Sequence, residues 1–201
     1  MLAGVSHDLR TPLTRLKLQL SMLPKNSEIT SMNSDIEEME TMINDYLSFA
    51  KDNVAENFSK KNLRKFFNEI IKHYSSAKFN IKLAISGTQI EFNLRKQSFK
   101  RSISNIIENS KRYSNNTEIS LKKTEDSLII IIDDDGPGID AQDRENAMRP
   151  FFRLETSRNK STGGTGLGLS IANNIILSHG GKLELLSSPL GGLRVKLSIP
   201  L

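Results

Sequence analysis

The apolar period of this chain changes character near residue 55. Before residue 50 it advances in helical steps of three and four, and after residue 60 strict alternation appears, so a helical part is followed by an α+β part. In the first part Leu2, Val5, Leu9, Leu13, Leu16, Leu20 and Leu23 trace one stripe, which Pro24 ends. A second stripe, Ile29, Met32, Ile36, Met39, Ile43, Tyr46 and Ala50, is nearly heptadic, and Met42, Leu47 and Phe49 widen it beyond a two-stranded seam. Two such helices joined by Pro24 to Ser27 make an antiparallel hairpin. Alone it would leave wide apolar faces wet, so a second copy is expected to complete a dimeric four-helix bundle.

Residues Lys51 to Lys61 are polar and read as a linker, with Phe58 placed to anchor the start of the next domain. The expected domains are therefore 1–54 and 60–201. In the second, Leu63, Phe66, Phe67, Ile70 and Ile71 keep a helical period, whereas Ile81, Leu83 and Ile85, and later Leu193, Val195, Leu197 and Ile199, alternate as strands do. Ile119 and Leu121 lead through a turn at Thr124 to Asp126 into Leu128 to Ile132, a continuous apolar run that predicts a strand buried on both faces. Residues from about Asp140 to Gly163 are polar and uneven, which predicts a mobile loop.

Composition narrows the chemistry. With no Cys there is neither a disulfide framework nor a thiolate metal site, so any metal must bind oxygen or imidazole, and a reducing, intracellular setting is expected. No apolar run approaches the roughly 20 residues that cross a bilayer, so no membrane contact is expected from this segment. The formal charge of +5 is spread in pairs such as Lys60-Lys61, Lys100-Arg101 and Lys122-Lys123, which argues for solvated surface and an acidic partner over nucleic acid.

Four clusters carry chemistry. In Ser6-His7-Asp8-Leu9-Arg10-Thr11-Pro12, His7 precedes Leu9 by two residues, about 200° around the helix from the seam, so it faces solvent. Thr11 shares its face and Asp8 is adjacent, placed to hold one ring nitrogen while the other attacks. On a second helix, whose buried side is Phe99, Ile103, Ile106 and Ile107, the residues Asn105, Asn109 and Arg112 line one face. Amide oxygens there suit magnesium, and Lys111 and Arg112 can meet phosphates. Asp134-Asp135-Gly136-Pro137-Gly138 puts a carboxylate at a strand end, where it can accept from an exocyclic amine, beside glycines that admit close approach. Three consecutive aspartates, Asp133 to Asp135, leave its register open by one position. Finally, Gly163-Gly164-Thr165-Gly166-Leu167-Gly168-Leu169 enters a helix, where backbone N–H groups suit phosphate. Its spacing fits neither a P-loop nor a dinucleotide fingerprint.

Taken singly, each cluster is also what an ordinary surface, turn or cap looks like. Their order is more specific: together they resemble the phosphoacceptor, N, D-x-G-x-G, F (Pro150-Phe151-Phe152-Arg153) and G2 boxes of sensor histidine kinases, over essentially the whole chain. The first box is nearest to the osmosensing branch of that family. The resemblance implies a helical dimerisation and phosphotransfer hairpin, then a Bergerat-type α/β sandwich of the kind shared with gyrase, Hsp90 and MutL ATPases. It implies ATP and Mg2+ as cofactors, His7 as the phosphorylated residue, Asp8 as an aid to its deprotonation, and Thr11 as a water-placing residue in the reverse, phosphatase, reaction.

The same resemblance gives Asn109 the metal, with Asn105 and Glu108 as helpers, and Tyr113 a place near adenine. Asp134 is implied as the adenine ligand, with Lys111, Arg112, Gly136, Gly138, Arg153, Gly164, Thr165, Gly166, Leu167 and Gly168 around the nucleotide. Ser110 replaces the family's common Ala, a small change. The implied partners are a second copy and the receiver of an OmpR-family response regulator, drawn by Arg10, Arg15 and Lys17. Members usually carry a signalling helix and membrane spans upstream, which makes this a cytoplasmic segment of an inner-membrane parent. An ATPase of the same fold would consume ATP without His7, and an inactive dimerisation module would not be phosphorylated at all.

Overall fold

The computed structural model describes residues 2–24, 26–51, 56–74, 79–86, 90–154 and 165–201, without the side chains of 2–10, 38, 41 and 44–51. The chain is α+β. Helices α1 (Leu2–Ser21) and α2 (Ser27–Lys51) form the expected hairpin. Asn26 starts α2: its side chain accepts from the Ile29 N–H at 2.7 Å, an N-cap that the apolar stripe could not reveal. Leu13 and Ile36 are buried in the hairpin. Leu16, Leu23, Met32 and Met39 stay half open, and Met22 is 83% exposed. One hairpin thus leaves much of both stripes uncovered.

The remaining elements are β1 (Ser59–Asn62), α3 (Leu63–Tyr74), β2 (Asn80–Ile85), β3 (Glu91–Leu94), α4 (Lys96–Tyr113), β4 (Asn116–Lys123), β5 (Ser127–Asp134), α5 (Arg144–Ala147), α6 (Gly168–Ser178), β6 (Lys182–Ser187) and β7 (Leu193–Pro200). Strands β1 and β3 pair antiparallel, and the main sheet has the order β2-β4-β5-β7-β6, antiparallel except for β2 with β4. Register explains the core. Ile130 lies opposite Leu121 on one side and Leu197 on the other, and Ile132 opposite Ile119 and Val195. All six are buried in one cluster with Leu63, Phe67 and Ile70 of α3, Phe99, Ile103 and Ile107 of α4, and Ala172 and Ile176 of α6. Each of these aliphatic and aromatic side chains larger than Ala172 contributes about 1.5–3 kcal/mol by leaving water.

Three expectations are corrected. Strand β5 is fully buried on its helix-facing side only; Ile129 and Ile131 are half-buried on the other, opposite Lys122 and Ser198, and Ser120 and Lys196. The stretch after Asp140 is not all loop: a 3-10 turn (Ala141–Asp143) and α5 follow, and Ala147 enters the core. Residues 155–164 lie outside the described residues. The linker is also shorter than expected, because β1 already belongs to the sheet pair and Glu56 caps α4 from afar. Its carboxylate accepts from the Gln97 and Ser98 N–H groups at 2.7 and 3.1 Å and from Ser98 Oγ at 2.9 Å. Helix α4 has no local side-chain cap, so Glu56 serves its orphan donors and its positive end. Burial would raise the Glu56 carboxyl, but these bonds hold it below the ordinary glutamate range.

Phe58 does act as an anchor. Its ring meets His179 edge-on at 5.3 Å and lies under the Arg95 guanidinium at 4.6 Å. Buried His179, at the end of α6, shares a 2.7 Å bond between Nδ1 and the Ile175 carbonyl and accepts the Arg95 N–H on Nε2 at 3.2 Å. Those partners require a neutral ring protonated on Nδ1. Burial holds its pKa below the ordinary imidazole value; the Arg95 charge adds to this, while the Ile175 bond and Glu56 oppose it. The unfolded chain therefore binds this proton first, and the fold loses stability as pH falls below about 6.5. Denaturant titrations of the whole chain between pH 5.5 and 7.5 are expected to slope by up to about 1.4 kcal/mol per pH unit, the limit for one proton. His179→Gln should be less stable throughout but should lose this part of the slope; an unchanged slope would assign it to another group.

Candidate active site

The end of β5 builds the floor of the site, and the register left open by three aspartates is resolved by what each touches. Asp133 points to the outer face of the sheet, where Arg194 Nε and Nη2 grip it at 2.8 and 2.9 Å. Asp135 binds the turn before β4, accepting from the Asn115 and Asn116 N–H groups at 2.9 Å and from Asn116 Nδ2 at 2.6 Å, and the Asn116 side chain leads in holding its carboxyl below the ordinary range. Asp134 turns inward and is 3% exposed. Its Oδ1 accepts from the Leu193 and Gly136 N–H groups at 2.9 and 3.0 Å, and its Oδ2 from Ser110 Oγ at 3.2 Å. Burial holds its carboxyl above the ordinary aspartate range, against three hydrogen bonds that favour the ion. A carboxylate offers about four acceptor directions, so one on Oδ2 is left for a ligand.

Helix α4 forms one wall. Asn105 and Asn109 are half-buried there, Lys111 and Arg112 are exposed near its end, and Tyr113 closes it half-buried. The Asn105 Nδ2 is buried with no hydrogen-bond partner among the described residues. Glu108 is exposed and already accepts from the Tyr74 hydroxyl at 2.9 Å, which ties it to α3. Ser110 is more than a small change, since its hydroxyl is one of the three donors to Asp134.

Close backbone approach explains the glycines. A Cβ on Gly136 would stand 2.9 Å from the Tyr113 carbonyl, which is how the end of α4 meets the Asp134 turn. Gly138 lies against the Gly192 carbonyl, and Gly168, first in α6, against Asn105. Gly166 has φ +68 and packs on the F box: the Phe151 N–H donates to the Gly166 carbonyl at 3.0 Å, and a Cβ there would stand 2.8 Å from Phe151 C. The two ends of the segment between Phe152 and Thr165 are thereby tied together. The Thr165 hydroxyl accepts from the Leu167 N–H at 3.3 Å, Leu167 packs with Ile171 and Ile175, and Arg153 is half-buried. Gly164 lies outside the described residues.

Short contacts thus join Tyr113, Asp134, Gly136 and, through Gly192, Gly138, and separately set Gly168 against Asn105 and Gly166 against Phe151. His7, Asp8 and Thr11 stand on α1. The side chains of His7 and Asp8 lie outside the described residues, and Thr11 is exposed. Lys17 is not spare positive charge, because it pairs with Glu40 at 3.2 Å and with Glu37 at 3.8 Å across the hairpin. The residues that sequence reading missed are Gly192 and Leu193, whose backbone closes over Asp134. The Gly191-Gly192 pair ahead of a strand was the available signal.

Among the described residues no cluster of three His, Asp or Glu could hold a metal by itself, and no helix is long and apolar enough to cross a membrane. A buried amine-accepting carboxylate, an orphan amide donor and a glycine cradle at a helix start fit a purine nucleotide with phosphates. A hard cation fits as companion to those phosphates, held by amide oxygen.

Two family profiles match the chain: the His Kinase A (phospho-acceptor) domain over residues 1–53, and the histidine kinase-, DNA gyrase B-, and HSP90-like ATPase over 94–201. The chain is 31% identical to the sensor histidine kinase CpxA of Escherichia coli K12 and 34% identical to the sensor protein RstB of the same strain. Both alignments cover 100% of this chain, with 46% of CpxA and 48% of RstB, so the chain spans about half the length of these curated relatives. Among solved structures, full-length ShkA in complex with AMPPNP superposes with a TM-score of 0.77 at 18% identity over 99% of this chain and 45% of that one. The Acinetobacter baumannii histidine kinase AdeS gives 0.69 at 21% identity over 96% and 97%.

Proposed function

The chain belongs to the sensor histidine kinases, with a phospho-acceptor domain ahead of a histidine kinase-, DNA gyrase B-, and HSP90-like ATPase domain, and from that premise we propose that it phosphorylates its own His7 from ATP and passes the group to an aspartate of a response regulator. The observation that carries the nucleotide half is Asp134, a buried carboxylate with one acceptor direction left. The adenine amine takes that direction, and Tyr113 lies beside the ring. Asn105, Lys111, Arg112, Arg153 and the backbone from Gly164 to Gly168 serve the phosphates. Asn109, with Asn105 and Glu108, holds Mg2+, which neutralises charge on the phosphate oxygens.

A ring nitrogen of His7 attacks the γ-phosphorus. The N–P bond forms as the bond to the bridging oxygen breaks, ADP leaves with the electron pair, and the proton on the other ring nitrogen passes to Asp8. Positioning and charge neutralisation supply most of such a reaction. In the onward step the N–P bond breaks as an aspartate oxygen of the regulator, one of the OmpR class, takes the phosphoryl group; Thr11 places water when the reaction runs in reverse. The helical domain ends by about residue 54 and the second domain takes in Glu56 and β1 from Ser59 onward, and the half-open stripes of α1 and α2 close against a second copy. The chain is the cytoplasmic segment of an inner-membrane parent.

Asp134→Asn tests the nucleotide half. The Asn oxygen can keep both backbone bonds, while its amide turns a donor toward the adenine amine. ADP affinity by calorimetry should fall about thirtyfold, the size expected for one charge-assisted hydrogen bond, with little change in ligand-free melting temperature. Unchanged affinity would place the adenine elsewhere.

A further inference from the structure

The chain is fastened to the ATPase domain before that domain's first strand. Glu56 accepts two N–H groups and a hydroxyl at the start of α4, and Phe58 holds its ring against both Arg95 and His179. Both ties lie at the helix ends remote from the nucleotide site. Helix α4 begins there and carries Asn105 and Asn109 further along, while α6 begins at Gly168 and ends there, capped by His179. The two helices pack on each other, with the Ser102 hydroxyl donating to the Ala172 carbonyl at 3.3 Å. One short segment therefore grips the far ends of both walls of the site.

We propose that Glu56 and Phe58 are positioning residues for autophosphorylation: they shorten the tether between α2 and the ATPase domain, and so raise the frequency at which bound ATP meets His7, without touching either. The inference rests on His7 as the acceptor. The lengths agree with it. Lys51 ends α2, and the ion pairs of Lys17 with Glu37 and Glu40 set the hairpin register, so the backbone of residue 7 stands level with the last two turns of α2. The tether thus starts beside the acceptor. The five Cα steps from Lys51 to Glu56 span at most roughly 18 Å. Along α4, the rise from Gln97 to Asn109 is also about 18 Å. The domain can therefore fold back about Glu56 and bring the α4 wall level with residue 7, with little chain to spare. Without the anchor the tether would run on to Ser59, where β1 pairs with β3, and its free residues would rise from four to seven. Effective concentration falls as the −3/2 power of tether length beyond the matching span, a loss of roughly two- to threefold here.

The test is the initial rate of label uptake by the whole chain from saturating γ-labelled ATP, beside ADP affinity by calorimetry. Phe58→Ala removes one tie. Glu56→Ala/Arg95→Ser removes the other and the guanidinium over Phe58, while a hydroxyl at the N-cap position serves the α4 donors locally. A Gly-Ser-Gly insertion after Asn53 leaves the anchor intact and lengthens the tether by the same three residues. All three variants should lose rate by roughly two- to threefold, with the ADP affinity and the ATP concentration for half-maximal rate of the parent. A rate equal to or above the parent's in any of them overturns the proposal. A rate loss matched by an equal loss of ADP affinity also overturns it, since the anchor would then be a prop for the fold. A parent that takes no label, or a His7→Gln variant that keeps it, shows instead that the acceptor reading itself has failed.

Discussion

Incubated with γ-labelled ATP and magnesium, the parent chain should acquire label that is lost in acid and kept in base, and His7→Gln should acquire none. The expected loss is complete because a Gln amide nitrogen shares its lone pair with the carbonyl and cannot attack phosphorus. The described residues give no competing reason for the loss. Residue 7 lies within a regular helix, Gln is a good helix former, and the nucleotide site is built from α4, β5, α6 and β7. ADP affinity and melting temperature should therefore match the parent. Label persisting on His7→Gln would put the acceptor on another residue. ATP consumed equally by both proteins, with no label on either, would favour a stand-alone ATPase of the same fold.

Sequence periodicity was a good guide wherever side chains repeat against a common core. The stripes of α1 and α2, the alternation of β7 and the buried side of α4 were all legible, because burial imposes a period of 3.6 or 2 on residues near one another in sequence. Periodicity marked the strand that ends in three aspartates, and only the family resemblance pointed to Asp134; the residues alone could not choose, since the choice depends on partners far away in sequence: Arg194 for Asp133, Asn115 and Asn116 for Asp135, Leu193 and Ser110 for Asp134. Glu56 capping α4 from 41 residues upstream is the same kind of event. Pattern also overstated the burial of β5, because a run of isoleucines reads alike whether the outer face is fully or only half covered. Ser110 shows the converse error: a residue judged by size alone was holding a buried charge.

Gly192→Ala should abolish measurable ADP binding and lower stability by about 2 kcal/mol, the scale of overpacking in a filled core. The Gly192 N–H donates to the Asp134 carbonyl at 3.1 Å, and the next residue, Leu193, donates to Asp134 Oδ1. A Cβ on Gly192 would stand 2.6 Å from that carbonyl and would also collide with Asp134 Oδ1 and the Gly136 nitrogen. None of these is the loose end of a flexible side chain, so relief means moving the Asp134 turn, and the carboxylate that orients the purine moves with it. Its neighbour supplies the control. Gly191 has φ +103 and nothing within 4 Å of a built Cβ, so Gly191→Ala meets backbone strain of about 1–3 kcal/mol but no steric conflict at Asp134. Calorimetry should find ADP binding kept in Gly191→Ala and lost in Gly192→Ala, although thermal melts show both destabilised. Equal binding in the two variants would mean that closure over Asp134 has no part in holding nucleotide. The predicted split comes from space rather than conformation, since only Gly192 packs against the groups that fix the carboxylate.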